Sequence, residues 1–213
     1  MLRDLESAFG ARRALPMYCS FDPDRYRTST PEPRFKCDLS YMGTYAPDRQ
    51  PKLEAFLCGA AERLPSQKFI VAGPQYPADV KWPHNVNRII HLEPKFHPPF
   101  YCSSRWTLNL TRKDMVEAGY SPSVRLFEAA GCGAAIVTDN WPGLETFFVP
   151  GQEILVATST DDVIACLRDI PADEVRRIGL RAQERVLAEH SAEKRAEEFE
   201  NSVGAKTLAR QYA

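Results

Sequence analysis

From Cys37 onward, apolar positions follow two rhythms in turn. Leu53, Phe56, Leu57, Ala60, Ala61 and Leu64 fall at i, i+3, i+4, i+7, i+8 and i+11, the spacing of one apolar helix face. Short apolar runs at 37–43, 69–72, 88–92, 107–111, 134–138 and 154–156 are bounded by turn-forming residues and read as strands. Ser121-Pro122 supplies a cap and a first-turn proline for a helix that Gly131 and Gly133 close. Ser159 with Asp162 forms a capping pair, and Val175, Ile178, Ala182 and Val186 line one face of a charged helix over 173–189. A further charged helix over 191–201 ends at Gly204. Strands alternating with helices predict an α/β fold: a Rossmann-like parallel sheet of about six strands with helices on both faces.

Residues 1–36 break this pattern. A short helix within 1–15 is followed by Pro16, Pro23, Pro31 and Pro33, which exclude regular structure, so the segment reads as a linker with something before it. The expected organisation is a linker over 1–36, a domain over 37–190 and a terminal helix and tail over 191–213.

Composition narrows the function classes. Among 213 residues, 27 Lys and Arg balance 28 Asp and Glu, so nothing global draws the chain to nucleic acid or an anionic membrane, and any anion site must be local. Apolar runs such as 134–137 fall far short of the ~20 residues that span a bilayer. The acidic start, Met1-Leu2-Arg3-Asp4-Leu5-Glu6, lacks the order of a secretory signal, and the expected compartment is the cytosol. Six cysteines without a Cys-x-x-Cys pair read as reduced, mostly buried thiols, with Cys132 a small buried residue between two glycines. His84, His91, His97 and His190 are too far apart in sequence for metal-ligand spacing, so no metal is expected.

In open parallel sheets ligands bind beyond the carboxyl ends of the strands. The most informative strand-end segment is 107–133, where a strand leads through Arg112-Lys113 to the helix beginning at Ser121-Pro122-Ser123. Free amides at a helix N-terminus carry about half a positive charge and suit a diphosphate. Arg112, Lys113 and Arg125 add charge. Glu128, further along that helix, is acceptor-only when ionised and matches the two hydroxyls of a ribose. A surface salt bridge with Arg125 is the alternative for Glu128. Tyr120 stands where it stacks on a ligand or packs. Neither a Gly-x-Gly-x-x-Gly nor a Gly-Lys-Ser/Thr loop is present.

The run from Pro122 to Gly133, with Thr138-Asp139-Asn140-Trp141-Pro142-Gly143-Leu144-Glu145, resembles the nucleotide-sugar-binding half of GT-B glycosyltransferases. Within them it is most similar to the CgeB-like (spore maturation protein) group, related to family 4 enzymes. Phe21-Asp22-Pro23-Asp24, the strand to Gly43 and His190 to Ala196 share the likeness. The resemblance implies the C-terminal domain of a GT-B fold. It places Glu128 on the ribose, and puts Tyr120, eight residues earlier, where family 4 enzymes carry a second glutamate near the donor sugar. It puts Gly43, Thr44 and Arg49 at the diphosphate loop. Arg49 keeps the basic residue there, Thr44 does not, and Arg112 is the replacement. Arg49 and Arg112 thus carry the expected catalytic role toward the leaving group, while Ser121, Ser123 and Arg125 join the binding set.

By the same resemblance the donor is a nucleoside-diphosphate sugar, of UDP type, and no metal or other cofactor is needed. A GT-B enzyme has two such domains, and this chain matches the second. The expected partner is therefore an N-terminal domain, a partner chain or a second copy, with the isolated chain inactive. Two other readings stand beside transfer: a non-catalytic nucleotide-binding or partner-docking module, and part of a GT-B-like sugar-nucleotide epimerase.

Overall fold

A computed structural model describes residues 2–204. After α1 (Leu2–Ser7) the chain runs without regular structure to a 3-10 turn at Pro33–Phe35 and then enters β1 (Cys37–Met42). There follow α2 (Gln50–Leu53), a π-helical turn (Glu54–Cys58), α3 (Gly59–Arg63), β2 (Phe69–Ala72), β3 (Val86–Ile89), α4 (His97–Ser103) and β4 (Ser104–Asn109). The second half comprises α5 (Lys113–Ala118), α6 (Val124–Gly131), β5 (Ile136–Asp139), β6 (Leu155–Ala157), α7 (Thr160–Asp169), α8 (Ala172–Glu189) and α9 (Ala192–Val203).

The strands form one all-parallel six-stranded sheet in the order β3-β2-β1-β4-β5-β6. Such a sheet is buried on both faces, which explains why β2 and β5 are wholly buried. One core layer joins Leu39, Leu57, Trp106, Leu108 and Ile178 beneath the helix that the apolar spacing predicted. The opposite layer joins Phe100, Leu126, Phe127, Phe147 and Phe148 beneath α4 and α6. Strand order reverses between β1 and β4, and their carboxyl ends open the crevice where such sheets bind ligands.

Several boundaries differ from the periodicity reading. The third strand is β3, not 88–92: Ile90 leaves the sheet and is 76 % exposed. The Arg88 side chain folds back against the rings of Tyr76 and Trp82 and donates to the carbonyls of Val71 and Gly73. The fourth strand starts earlier, at Ser104. The helix expected from Ser121 begins at Val124 with Ser123 as its N-cap. The Pro122 carbonyl accepts from the Cys19 thiol, and the first turn closes through Leu126 N–H on Ser123 O. Ser159 and Asp162 do form the reciprocal capping box of α7.

The proline-rich segment before β1 is seated on the domain. Phe21, Tyr26 and Phe35 are buried in the second core layer. Phe21 N–H donates to His190 O, and Ala192 N–H donates to Phe21 O, so this segment clasps the junction of α8 and α9. His190 lies against the rings of Phe127 and Phe147, and its Nδ1 accepts from Arg195 Nη2 at 2.6 Å. Burial, then the Arg195 charge, depresses its pKa below 6.5. The unfolded chain therefore binds more protons at this site. Stability is expected to be full above pH 6.5 and to fall as pH drops through 6.5 toward the lower folded value. Urea unfolding at pH 5 and pH 8 checks this, and a His190→Asn protein should lose less on acidification than wild type. An equal loss in both proteins rules His190 out as the cause. Among the described residues, no helix is long and apolar enough to cross a membrane.

Candidate nucleotide-sugar site

The crevice between β1 and β4 is built from both faces of the sheet. From one side comes Arg125, in the first turn of α6. A Cβ at Gly43 would lie 2.8 Å from Arg125 Nη2, so the glycine leaves the space that the guanidinium fills. Arg125 Nη1 donates to Asn109 Oδ1 at 3.2 Å, and the guanidinium lies 5.3 Å from the Tyr41 ring centre. Asn109 Nδ2 in turn donates to Thr138 Oγ1, which fixes the amide with its oxygen toward Arg125. The contacts of this cation are thus a neutral amide and a ring face. The salt bridge between Glu128 and Arg125 is not formed among the described residues.

From the other side comes Lys52 in α2, whose Nζ lies 2.6 Å from Asp139 Oδ2. Asp139 ends β5 and is 1 % exposed; its Oδ1 accepts from both the N–H and the hydroxyl of Thr111. With an ammonium on one oxygen and an amide and a hydroxyl on the other, the carboxylate is well satisfied despite burial. Asp48 holds the next step of the same loop, accepting from Lys113 N–H at 2.8 Å. Desolvation is the largest single effect and raises the Asp48 carboxyl, but that N–H, its own amide and the charges of Arg112 and Arg49 together outweigh it and hold the carboxyl below its ordinary value. The structure thereby brings Arg49 and Arg112, distant in sequence, around one acid at the rim.

The two differ in exposure. Arg112 is exposed at the N-cap of α5. Arg49 is buried; its Nη2 donates to Thr44 O at 2.7 Å and its Nε has no partner. Thr44 itself is exposed and Gly43 is buried. Ser123 caps α6 by backbone geometry only, because its hydroxyl takes none of the first-turn amides. Ser121, expected at that cap, instead lines a groove of about 730 Å³ with Met17, Tyr18, Tyr120 and Pro122. Tyr120 is 56 % exposed with φ +47, an uncommon backbone state for a tyrosine, held by its N–H on Pro142 O at 2.7 Å. Its ring covers Gly143, where a Cβ would come within 2.5 Å of it.

Glu128 lies five residues past Ser123, about 7.5 Å along the helix at ~1.5 Å per residue, closer to the amides than a start at Ser121 implied. Its neighbours come from segments that sequence spacing did not connect. The Tyr26 hydroxyl has one proton and two acceptors in reach, the Glu128 carboxylate and His97 Nδ1 at 3.2 Å. His97 Nε2 faces Leu92 O at 3.3 Å, which fixes its proton on that nitrogen and makes Nδ1 the acceptor. The Tyr101 hydroxyl, fully buried in α4, has no partner; burial and then the Glu128 charge push its pKa far up. Tyr26 is raised for the same two reasons.

Tyr26, Lys52, His97, Tyr101, Asn109 and Asp139 were not singled out from sequence. Asn109 and Asp139 carry a signal in hindsight, a polar residue closing an apolar strand.

This arrangement, a reversal point in a parallel sheet with a cation and a helix N-terminus above it, defines a Rossmann-like domain of the GT-B class. Residues 49–201 match the model of the glycosyl transferase-like family, and the chain belongs to that family. Among solved structures it is similar to sucrose-phosphate synthase from Thermosynechococcus elongatus, at 13 % identity and TM-score 0.72, with 97 % of this chain on 56 % of that one. Anabaena Alr3699/HepE in complex with UDP-glucose matches at 13 % identity and TM-score 0.65, with 87 % of this chain on 56 % of that one. The C-terminal domain of the group 1 glycosyl transferase LpcC from Francisella tularensis matches over 99 % of its own length and 81 % of this chain, at 10 % identity and TM-score 0.63. The chain thus spans little more than half of the first two relatives. A search of curated proteins finds no match.

Proposed function

We propose that this chain is the donor-binding domain of a CgeB-like glycosyltransferase, taking a UDP-type sugar nucleotide for glycosyl transfer to an acceptor hydroxyl. The observation that carries the reading is Arg125, a guanidinium without a carboxylate partner held over the ends of β1 and β4 beside an unfilled helix N-terminus. The diphosphate lies there. Glu128 accepts the two ribose hydroxyls, and Tyr120 flanks the sugar.

As transfer proceeds, the bond from the anomeric carbon to the diphosphate oxygen breaks, the acceptor oxygen bonds that carbon, and the acceptor proton departs. Negative charge grows on the leaving phosphate, where Arg112 and Arg49 at the rim, Arg125 below and the α6 amides oppose it. Preorganised donors of this kind are worth roughly 10²–10³ in rate each. A second domain supplies the acceptor, so the chain alone is expected not to turn over.

Calorimetric titration with UDP, GDP and ADP tests the reading. UDP-selective binding is expected, weakened about tenfold or more in Glu128→Ala by the loss of two hydrogen bonds to a charged group. Equal binding by the variant removes Glu128 from the ribose. No binding of any nucleotide favours the docking-module reading, for which the exposed Leu2, Leu5 and Phe9 before the domain and Phe199 and Val203 on α9 are the supporting observation.

A further inference from the structure

Two cysteines meet where α4 and α6 end. Cys102 lies in the last turn of α4, and Cys132 is the C-cap of α6. The Cys102 Sγ is 3.4 Å from the Cys132 carbonyl oxygen, and the two thiols are near enough for each to shift the other's ionisation. Ser29 N–H donates to the same sulfur at 3.3 Å. The Ser29 hydroxyl is buried without a hydrogen-bond partner. Cys102 is partly exposed, whereas Cys132 is 2 % exposed.

We propose that Cys102 and Cys132 are a redox-active thiol pair that a hydroperoxide oxidises to an intramolecular disulfide. As a neutral thiol, Cys102 gives its proton to the Cys132 carbonyl. Once that proton is lost, the Ser29 N–H already donates to the sulfur, and the unpartnered Ser29 hydroxyl and the neighbouring Cys132 thiol are free to turn toward it, a setting that stabilises a thiolate. The Cys132 thiol, outweighing burial and helped by Ser29, holds the Cys102 pKa at about 6. Burial first of all raises the thiols of Cys19, Cys37, Cys58 and Cys166.

The steps balance. The Cys102 thiolate attacks the peroxide, giving a sulfenic acid and hydroxide, and the hydroxide becomes water by taking up the proton that Cys102 had released to solvent. The Cys132 sulfur then attacks the sulfenic sulfur and expels its hydroxyl group as water with the Cys132 proton. Two thiols and one hydrogen peroxide become one disulfide and two waters. The bond would tie α4, which carries His97 and Tyr101, to α6, which carries Glu128.

The experiment treats the reduced chain with hydrogen peroxide and maps its peptides by mass spectrometry without reductant. A Cys102–Cys132 linked peptide that dithiothreitol separates is expected. In Cys132→Ala the reaction should stop at the sulfenic acid, trapped by dimedone on Cys102. Iodoacetamide at pH 7 should modify Cys102 roughly tenfold faster than the similarly exposed Cys19, from their difference in thiolate content. Peroxide that leaves both thiols free, a sulfenic acid that persists on Cys102 in the wild-type chain, or equal alkylation of Cys19 would overturn the proposal.

Discussion

Arg125→Met is expected to weaken nucleoside-diphosphate binding roughly 100-fold, about 2.8 kcal/mol at 1.4 kcal/mol per decade. The size follows from the surroundings of the guanidinium. Its Nη1 spends one hydrogen bond on the neutral Asn109 Oδ1, and the Tyr41 ring beneath it carries no charge. Most of its attraction is therefore left for an anion above the crevice, and charge-assisted bonds are about twice as strong as neutral ones. Methionine keeps most of the carbon stem and opens only the space beside Gly43 that the guanidinium occupied, so the fold should survive, as circular dichroism would report. Lysine should rescue only part of the loss because it lacks the fork that reaches Asn109 and a phosphate together. An unchanged dissociation constant in a folded Arg125→Met protein would place the diphosphate elsewhere.

Asp139→Ala should cost about 3 kcal/mol of stability, within the range for breaking a buried pair. The carboxylate ties Lys52 from one face of the sheet to Thr111 at the end of β4, and its removal leaves the Thr111 N–H and hydroxyl without their acceptor. Asparagine keeps an oxygen for Thr111 and loses only the charge pair with the partly exposed Lys52, so its cost should be nearer 1 kcal/mol. Urea unfolding of both variants checks the order. A cost for alanine within the roughly 0.5 kcal/mol of an ordinary surface change would show that this junction is not under load.

The architecture was legible because apolar runs bounded by turn residues have few other readings. All six strands were found, with errors confined to their ends. The helix through Leu53 and Leu64 and the capping box at Ser159 rest on local spacing, and local spacing survives folding. What was missed depends on longer range. Helix α4 opens with His97-Pro98-Pro99, a start that reads as a breaker until the prolines are placed in the first turn. Helix α5 buries no residue and so has no apolar stripe to betray it. The N-cap of α6 moved two residues, from Ser121 to Ser123, and the Pro122 carbonyl left outside the helix accepts from the Cys19 thiol, over a hundred positions away.

The candidate site divides along the same line. Gly43, Arg112, Ser123, Arg125 and Glu128 were visible because they follow strands or open a helix. The partners of Arg125 and Glu128 were not. Asn109, Tyr26, His97 and Tyr101 acquire meaning only when the strand order sets β1 beside β4 and folds the proline-rich segment over α6. Their pairing is a property of topology, which single-residue patterns do not record.

The reversal of strand order also has a kinetic consequence. Within β1–β2–β3 and within β4–β5–β6 each pairing joins neighbours along the chain, but the seam pairs Cys37 with Ser104 and Leu39 with Trp106. Closing that loop carries the largest entropy cost of the adjacent strand pairs, and such distant pairings slow folding. Each half can zip locally before the seam closes, so among the features of the sheet the crevice is expected to form late, and a ligand bound across it would hold the two halves together and stabilise only the finished fold.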